Sequence, residues 1–173
     1  KAYWVLDGAS ALNRNSFTDG ENDVTWVVNW WVQYLEQHID QTHFSIGKII
    51  QMGIYELNST FSNFVDVKKL TKLDVVSLGI AVVRINGSVL EYFVLGDVEI
   101  NIKKQKGEFI TFTDTKIKDL DQKVIELMAV DSLRHDHIVF KGFTSKEFEL
   151  LKENRAKMNS DAGYYILEHD PMV

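Results

Sequence analysis

The chain has 173 residues, 45% hydrophobic and 25% charged, with 19 Lys and Arg against 25 Asp and Glu for a formal charge of −6. That length and balance predict a globular chain able to bury a full core, and the acidic excess argues against a nucleic-acid binder, which carries a basic face. The absence of Cys excludes disulfides, thiolate zinc sites and cysteine nucleophiles.

Ala2 to Leu6 predicts a short buried strand that delivers Asp7 to its end, with Gly8 following at once. A carboxylate at the exposed end of a strand, beside a residue that lets backbone approach closely, is one way to hold a hard divalent cation. The same Asp-Gly pair is also a common way to write a tight turn. Residues 9–22 are polar and predict a loop, and Asp23 stands where a helix N-cap belongs. From Val24 to Ile39 the spacing is helical. Trp26, Trp30, Tyr34 and His38 recur every four residues beside Val27, Trp31 and Leu35, a packed face in preference to an aromatic binding box. His43 to Phe64 predicts a second helix, with a stripe of Ile46, Ile49, Ile50, Ile54, Leu57 and Phe61, paired antiparallel with the first across a short connection.

The texture then changes. Val75 to Ile85 is almost continuously apolar and predicts a strand covered on both faces. Asn86-Gly87 is a hairpin turn, and Val89 to Leu95 is the return strand. Gly96-Asp97 breaks it; Val98, Ile100 and Ile102 then alternate with polar residues, and Lys106-Gly107 turns into Phe109 to Thr113. The expectation is a meander of four antiparallel strands. Lys118 to Val130 predicts a helix, residues 137–140 fit helix or strand, and Ser145 to Met158 predicts a helix capped by Ser145 with Glu149 near its start. Asp161-Ala162-Gly163 turns into a last strand, Tyr164 to Leu167. With no repeat or linker, 1–173 reads as one α+β domain. The chain lacks an initial Met and enters a strand within two residues, so terminal segments are expected beyond it. No apolar run reaches membrane-spanning length and no secretory segment opens the chain, which with the lack of Cys predicts a cytoplasmic protein.

Other candidates carry blander readings. His135-Asp136-His137 has the shape of half a zinc chelate but lacks partners at suitable spacing, and reads as a solvated loop. His38 and His43 flank the helix junction as cap or surface positions, and Lys103-Lys104-Gln105-Lys106 is a solvated turn. Arg14 lies in the loop after Asp7, within reach of a bound phosphate, yet reads first as an exposed loop arginine.

Taken in order, Val5-Leu6-Asp7-Gly8, the two long helices, the hairpin from Ser77 through Leu95-Gly96-Asp97, Thr113-Asp114, and the run from Asn154-Arg155 to Gly163-Tyr164-Tyr165 resemble the metal-dependent type-2C protein phosphatases, in a divergent bacterial branch. The resemblance implies an αββα sandwich of two antiparallel sheets flanked by helix pairs. It implies a site at one edge holding two Mg²⁺ or Mn²⁺ ions, and hydrolysis of phosphoserine or phosphothreonine in a protein substrate by a metal-activated water. It gives Asp7 the place of the bridging metal ligand, Gly8 that of a ligand through its carbonyl, and Asp97 a place near an additional metal. Departures leave a second reading open. The acidic residue and arginine that precede the strand in that family have no counterpart here, since their positions would fall before Lys1. It also has no Asp-Asn pair, its other Asp-Gly, Asp19-Gly20, comes too early, and the family's Gly-Asp-Ser is Gly96-Asp97-Val98. That second reading is a non-catalytic phosphatase-fold domain that binds a regulatory partner.

Overall fold

The computed structural model describes residues 1–13, 15–131, 138–140 and 142–171. It is an α+β fold of four α-helices and small antiparallel sheets among the described residues. No helix is long and apolar enough to cross a membrane.

Strand β1 (Ala2–Ala9) pairs antiparallel with β2 (Ser77–Asn86), which pairs with β3 (Val89–Leu95), so β2 is central and β1 is an edge. The alternation of a pleated strand splits β1 by face. Ala2, Trp4 and Leu6 pack on the main core, while Tyr3 and Val5 on the other face are 60% and 61% exposed. The strand is therefore longer and wetter than the sequence predicts. Asp7 lies inside the ladder opposite Gly79, not at a buried strand's end. Central β2 is buried from Ser77 through Val82, as its unbroken apolar run requires.

Helices α1 (Asp23–His38) and α2 (Ile46–Phe61) cover the inner face of this sheet. They run antiparallel: Trp26 meets Phe61 and Phe64, Trp31 faces Gly53, and the Tyr34 hydroxyl donates to the Ile49 carbonyl at 3.1 Å. The caps differ from expectation. Asn22, not Asp23, caps α1, its side chain accepting from Thr25 N–H. The Asp23 carboxylate is instead turned back, accepting from the N–H groups of Phe17 and Thr18 and from the Thr18 hydroxyl at 2.7 Å, and so closes the preceding loop. Helix α2 is shorter than expected and starts after a Ser45 cap. A short polar acceptor wins each start because it satisfies an orphan N–H of the first turn.

Gly53 sets the distance between the helices. A Cβ there would stand 2.6 Å from the Trp31 ring and 2.7 Å from Tyr34. Gly53→Ala gains about 1 kcal/mol of helix propensity but overpacks a site that costs about 1–3 kcal/mol. Trp31 is fully buried, so relief requires a shift of the packed core, which puts the cost at the upper end of that range. We therefore expect a net loss of about 1–2 kcal/mol, read as a lower midpoint in urea denaturation; a raised midpoint would contradict this packing.

The expected four-stranded meander divides in two. Gly96, at φ 86°, turns the chain out of the sheet, and β4 (Ile100–Lys103) pairs only with β5 (Phe109–Phe112). This ribbon lies toward the outer face of the main sheet, where Phe112 packs on Tyr92 with ring centres 4.2 Å apart. Helix α3 (Lys116–Asp131), a small ribbon of β6 (Ile138–Phe140) and β7 (Phe143–Thr144), and helix α4 (Ser145–Ala156) follow. The cap of α4 is Thr144 with Glu147 in a reciprocal capping box, not Ser145 with Glu149. The expected last strand contributes only single bridges, Leu78 to Leu167 and Met158 to Tyr164. Leu167 takes the place beside β2 that β3 has already left, since β3 ends opposite Ile80.

Candidate functional site

Asp7 and Asp97 meet at one cavity of about 200 Å³, together with Ser77, Asp121, Asn154, Arg155 and Tyr164. Local structure explains why they converge. Asp7 projects from the outer face of β1, and its cross-strand partner is Gly79. The Gly96-Asp97 turn rests on that glycine: a Cβ at Gly96 would come within 3.0 Å of the Gly79 Cα, and a Cβ at Gly79 within 3.4 Å of Asp97 Oδ1. Two glycines thus let the Asp97 carboxylate settle next to the residue opposite Asp7. Helix α3 closes another wall with Ile117 and Asp121, and α4 a third with Leu151, Asn154 and Arg155.

The charges are arranged unevenly. Partial burial, and then the nearby charge of Asp97, raise the Asp121 pKa above the usual carboxylate range. Burial likewise raises Tyr164, with Arg155 opposing and Asp121, Asp97 and Glu168 adding to the rise. The Arg155 guanidinium is committed to the protein, donating to the Ser77 hydroxyl and to the Ser10 carbonyl. Asn154 is 6% exposed; its Nδ2 donates to the Leu120 carbonyl at 3.2 Å, and its Oδ1 has no hydrogen-bond partner. A buried acceptor left without a donor costs about 1–3 kcal/mol.

Of the three residues singled out as metal ligands, Asp7 and Asp97 come together and Gly8 does not join them. Gly8 is not in the cavity wall; a Cβ there would lie 2.6 Å from Val24 Cγ1, so its lack of a side chain seats α1 on the sheet. Arg14 and the His135-Asp136-His137 candidate lie outside the described residues. Asp121 carried no signal in the sequence, being one of several acids on a polar helix face. Asn154-Arg155 stood out only through the family resemblance.

Three carboxylates and an orphaned amide oxygen are acceptors suited to a hard cation. Among the described residues, no three Asp, Glu, His or Cys side chains stand at metal-binding spacing. Close ligands are therefore few here, and any cation held in this cavity would keep most of its water shell, as Mg²⁺ can. A second cavity, about 460 Å³, lies between the 67–72 segment and residues 168–171, but the Glu168 carboxylate in its wall is already taken by Lys72 and Asn159. Comparison with protein-family models, curated proteins and solved structures finds no match for the chain.

Proposed function

We propose that this chain is a type-2C-like, metal-dependent phosphatase domain acting on phosphoserine or phosphothreonine with Mg²⁺ or Mn²⁺. The observation that carries this reading is the convergence of Asp7 and Asp97, from distant parts of the chain, on one acceptor-lined cavity. The placement of α1 and α2 on one face of the β1–β3 sheet, with the β4–β5 ribbon toward the other, is compatible with an αββα sandwich. When bound, the metal would supply charge neutralisation on phosphoryl oxygens and a more acidic water. Asp7 and Asp97 would hold it. No protein nucleophile is needed, in keeping with a chain without Cys. A phosphorylated protein in the cytoplasm is the substrate this reading implies, although a net charge of −6 gives no electrostatic steering toward one.

One observation favours a second reading, a phosphatase-fold domain that binds a regulatory partner without turnover: no three acids stand at metal-binding spacing among the described residues. Release of phosphate from a generic aryl phosphate with Mn²⁺ separates the two. The phosphatase reading expects Mn²⁺-dependent turnover that Asp7→Asn lowers at least tenfold, since even groups that only support a metal ligand are worth about 10–100-fold. Absence of Mn²⁺-dependent turnover favours the binding module, and turnover that Asp7→Asn lowers less than tenfold removes Asp7 from the metal site.

A further inference from the structure

We propose that the tip of the β2–β3 hairpin is a site of covalent self-modification, where Asn86 loses its side-chain amide to become Asp or isoaspartate. The proposal is independent of the cavity and of the phosphatase reading. Asn86 is the only Asn followed by Gly in the sequence. It pairs with Val89, so Gly87 and Ser88 alone make the turn, with Gly87 at φ 59°. The ladder bonds at this end join Asn86 to Val89 and make no use of the Gly87 N–H. Residues 85–90 are all exposed, and a Cβ placed on Gly87 would meet nothing within 4 Å. The Gly87 nitrogen is therefore shielded neither by its own side chain nor by a neighbour. In the reaction this nitrogen gives its proton to hydroxide and attacks Asn86 Cγ. The new N–Cγ bond replaces Cγ–Nδ2, and Nδ2 takes a proton from water and leaves as ammonia. Water then opens the cyclic imide. Cleavage of N–Cγ gives Asp; cleavage on the side of the backbone carbonyl gives isoaspartate, which adds a methylene to the main chain. Either product makes the chain one unit more negative than −6. The added methylene breaks the Asn86–Val89 register, and the Arg84–Glu91 pair limits fraying further in.

The Asn-Ser pairs are held differently. Ser59 lies inside α2, where its N–H belongs to the helix. The Asn159 side chain donates to Glu168 at 2.7 Å and accepts from the Ile166 N–H at 2.8 Å. Asn15 reaches Asp74 at 3.4 Å.

Incubation of the intact chain in weakly alkaline buffer, folded and unfolded in urea, followed by peptide mapping with mass spectrometry, tests this. A hairpin tip opens at almost no free-energy cost, so Asn86 in the folded chain is expected to convert within about tenfold of its rate in the unfolded chain. Asp and isoaspartate should both accumulate at position 86, faster as pH rises, while Asn58 and Asn159 stay intact over the same period. On native electrophoresis the aged wild type should gain a more negative species that Asn86→Gln, an exposed substitution, does not form. Conversion at Asn86 more than tenfold slower in the folded chain than in the unfolded one would show that the ladder protects it, and would overturn the proposal. So would conversion at Asn58 or Asn159 that keeps pace with Asn86, or a more negative species that persists in Asn86→Gln.

Discussion

Arg84→Ala is expected to destabilise the protein by about 3 kcal/mol, read from chemical denaturation. Arg84 sits on the inner face of β2, where its neighbours are apolar, and is 4% exposed. Its guanidinium donates to the carbonyls of Ile39 and Phe44 at 2.8 and 2.6 Å and pairs with Glu91 on β3. Glu91 in turn accepts from the Ile46 N–H at 2.7 Å. One arginine thus fastens the end of α1, the α1–α2 connection and the start of α2 to the sheet. Severing a buried pair costs about 3–5 kcal/mol; the low end applies because the Glu91 side chain is 35% exposed and keeps its Ile46 donor. The effect has a pH signature. Burial by itself would raise the Glu91 pKa, but the Ile46 N–H and Arg84 outweigh it and hold the value below 4.5. A depressed carboxylate contributes stability that is fully present above its unfolded pKa and is lost as pH falls through the folded value. The difference between wild type and Arg84→Ala should therefore be constant above pH 5 and shrink below about pH 4. A difference below 1 kcal/mol at neutral pH, or one that grows in acid, would contradict the clamp.

Arg155→Leu is expected to cost about 2–4 kcal/mol, and more than Ser77→Ala. Arg155 is 8% exposed and ties α4 to the start of β2 and to the loop after β1. Hydrogen bonds from charged donors are worth about 1.5–3 kcal/mol each, and two would be lost. Part of that is recovered, because the buried guanidinium carries a desolvation cost: burial pulls its pKa below the ordinary arginine range despite the opposing influence of Tyr164 and Glu168. Ser77→Ala removes one acceptor and leaves the Ser10 contact intact, so it should cost about 1 kcal/mol. Equal, small losses for the two variants would show that the bonds to Arg155 do not hold this wall of the cavity.

The long periodic segments were legible in the chain. The Val27, Trp31 and Leu35 stripe of α1 and the Ile46, Ile49, Ile50 and Leu57 stripe of α2 are buried as read. The Asn86-Gly87 hairpin forms with Gly87 at φ 59°. Helix starts were off by a residue at α1 and α4, because Asn22 and Asp23, or Thr144 and Ser145, are adjacent residues of equal capping chemistry. Which one caps is settled by which side chain another contact claims, as the 16–18 loop claims Asp23. The meander failed at Gly96, where alternation continues through Val98 and Ile100 but the left-handed turn carries the chain out of the sheet.

Sequence alone therefore determined the α+β class, the helical pair and its buried stripes, and the pairing of β2 with β3, because these depend on periodicity and turn chemistry within a few residues. It also put Asp7 and Asp97 forward. Only the tertiary structure decided that β1 lies at the edge beside β2, that Gly8 serves α1 and lies outside the cavity wall, and that Asp121, Asn154 and Arg155 share the space with the two aspartates. Those facts depend on contacts between residues up to 145 positions apart, such as Arg155 to Ser10. No local pattern encodes a distance of that kind; it exists only once the burial of apolar faces has brought the elements together.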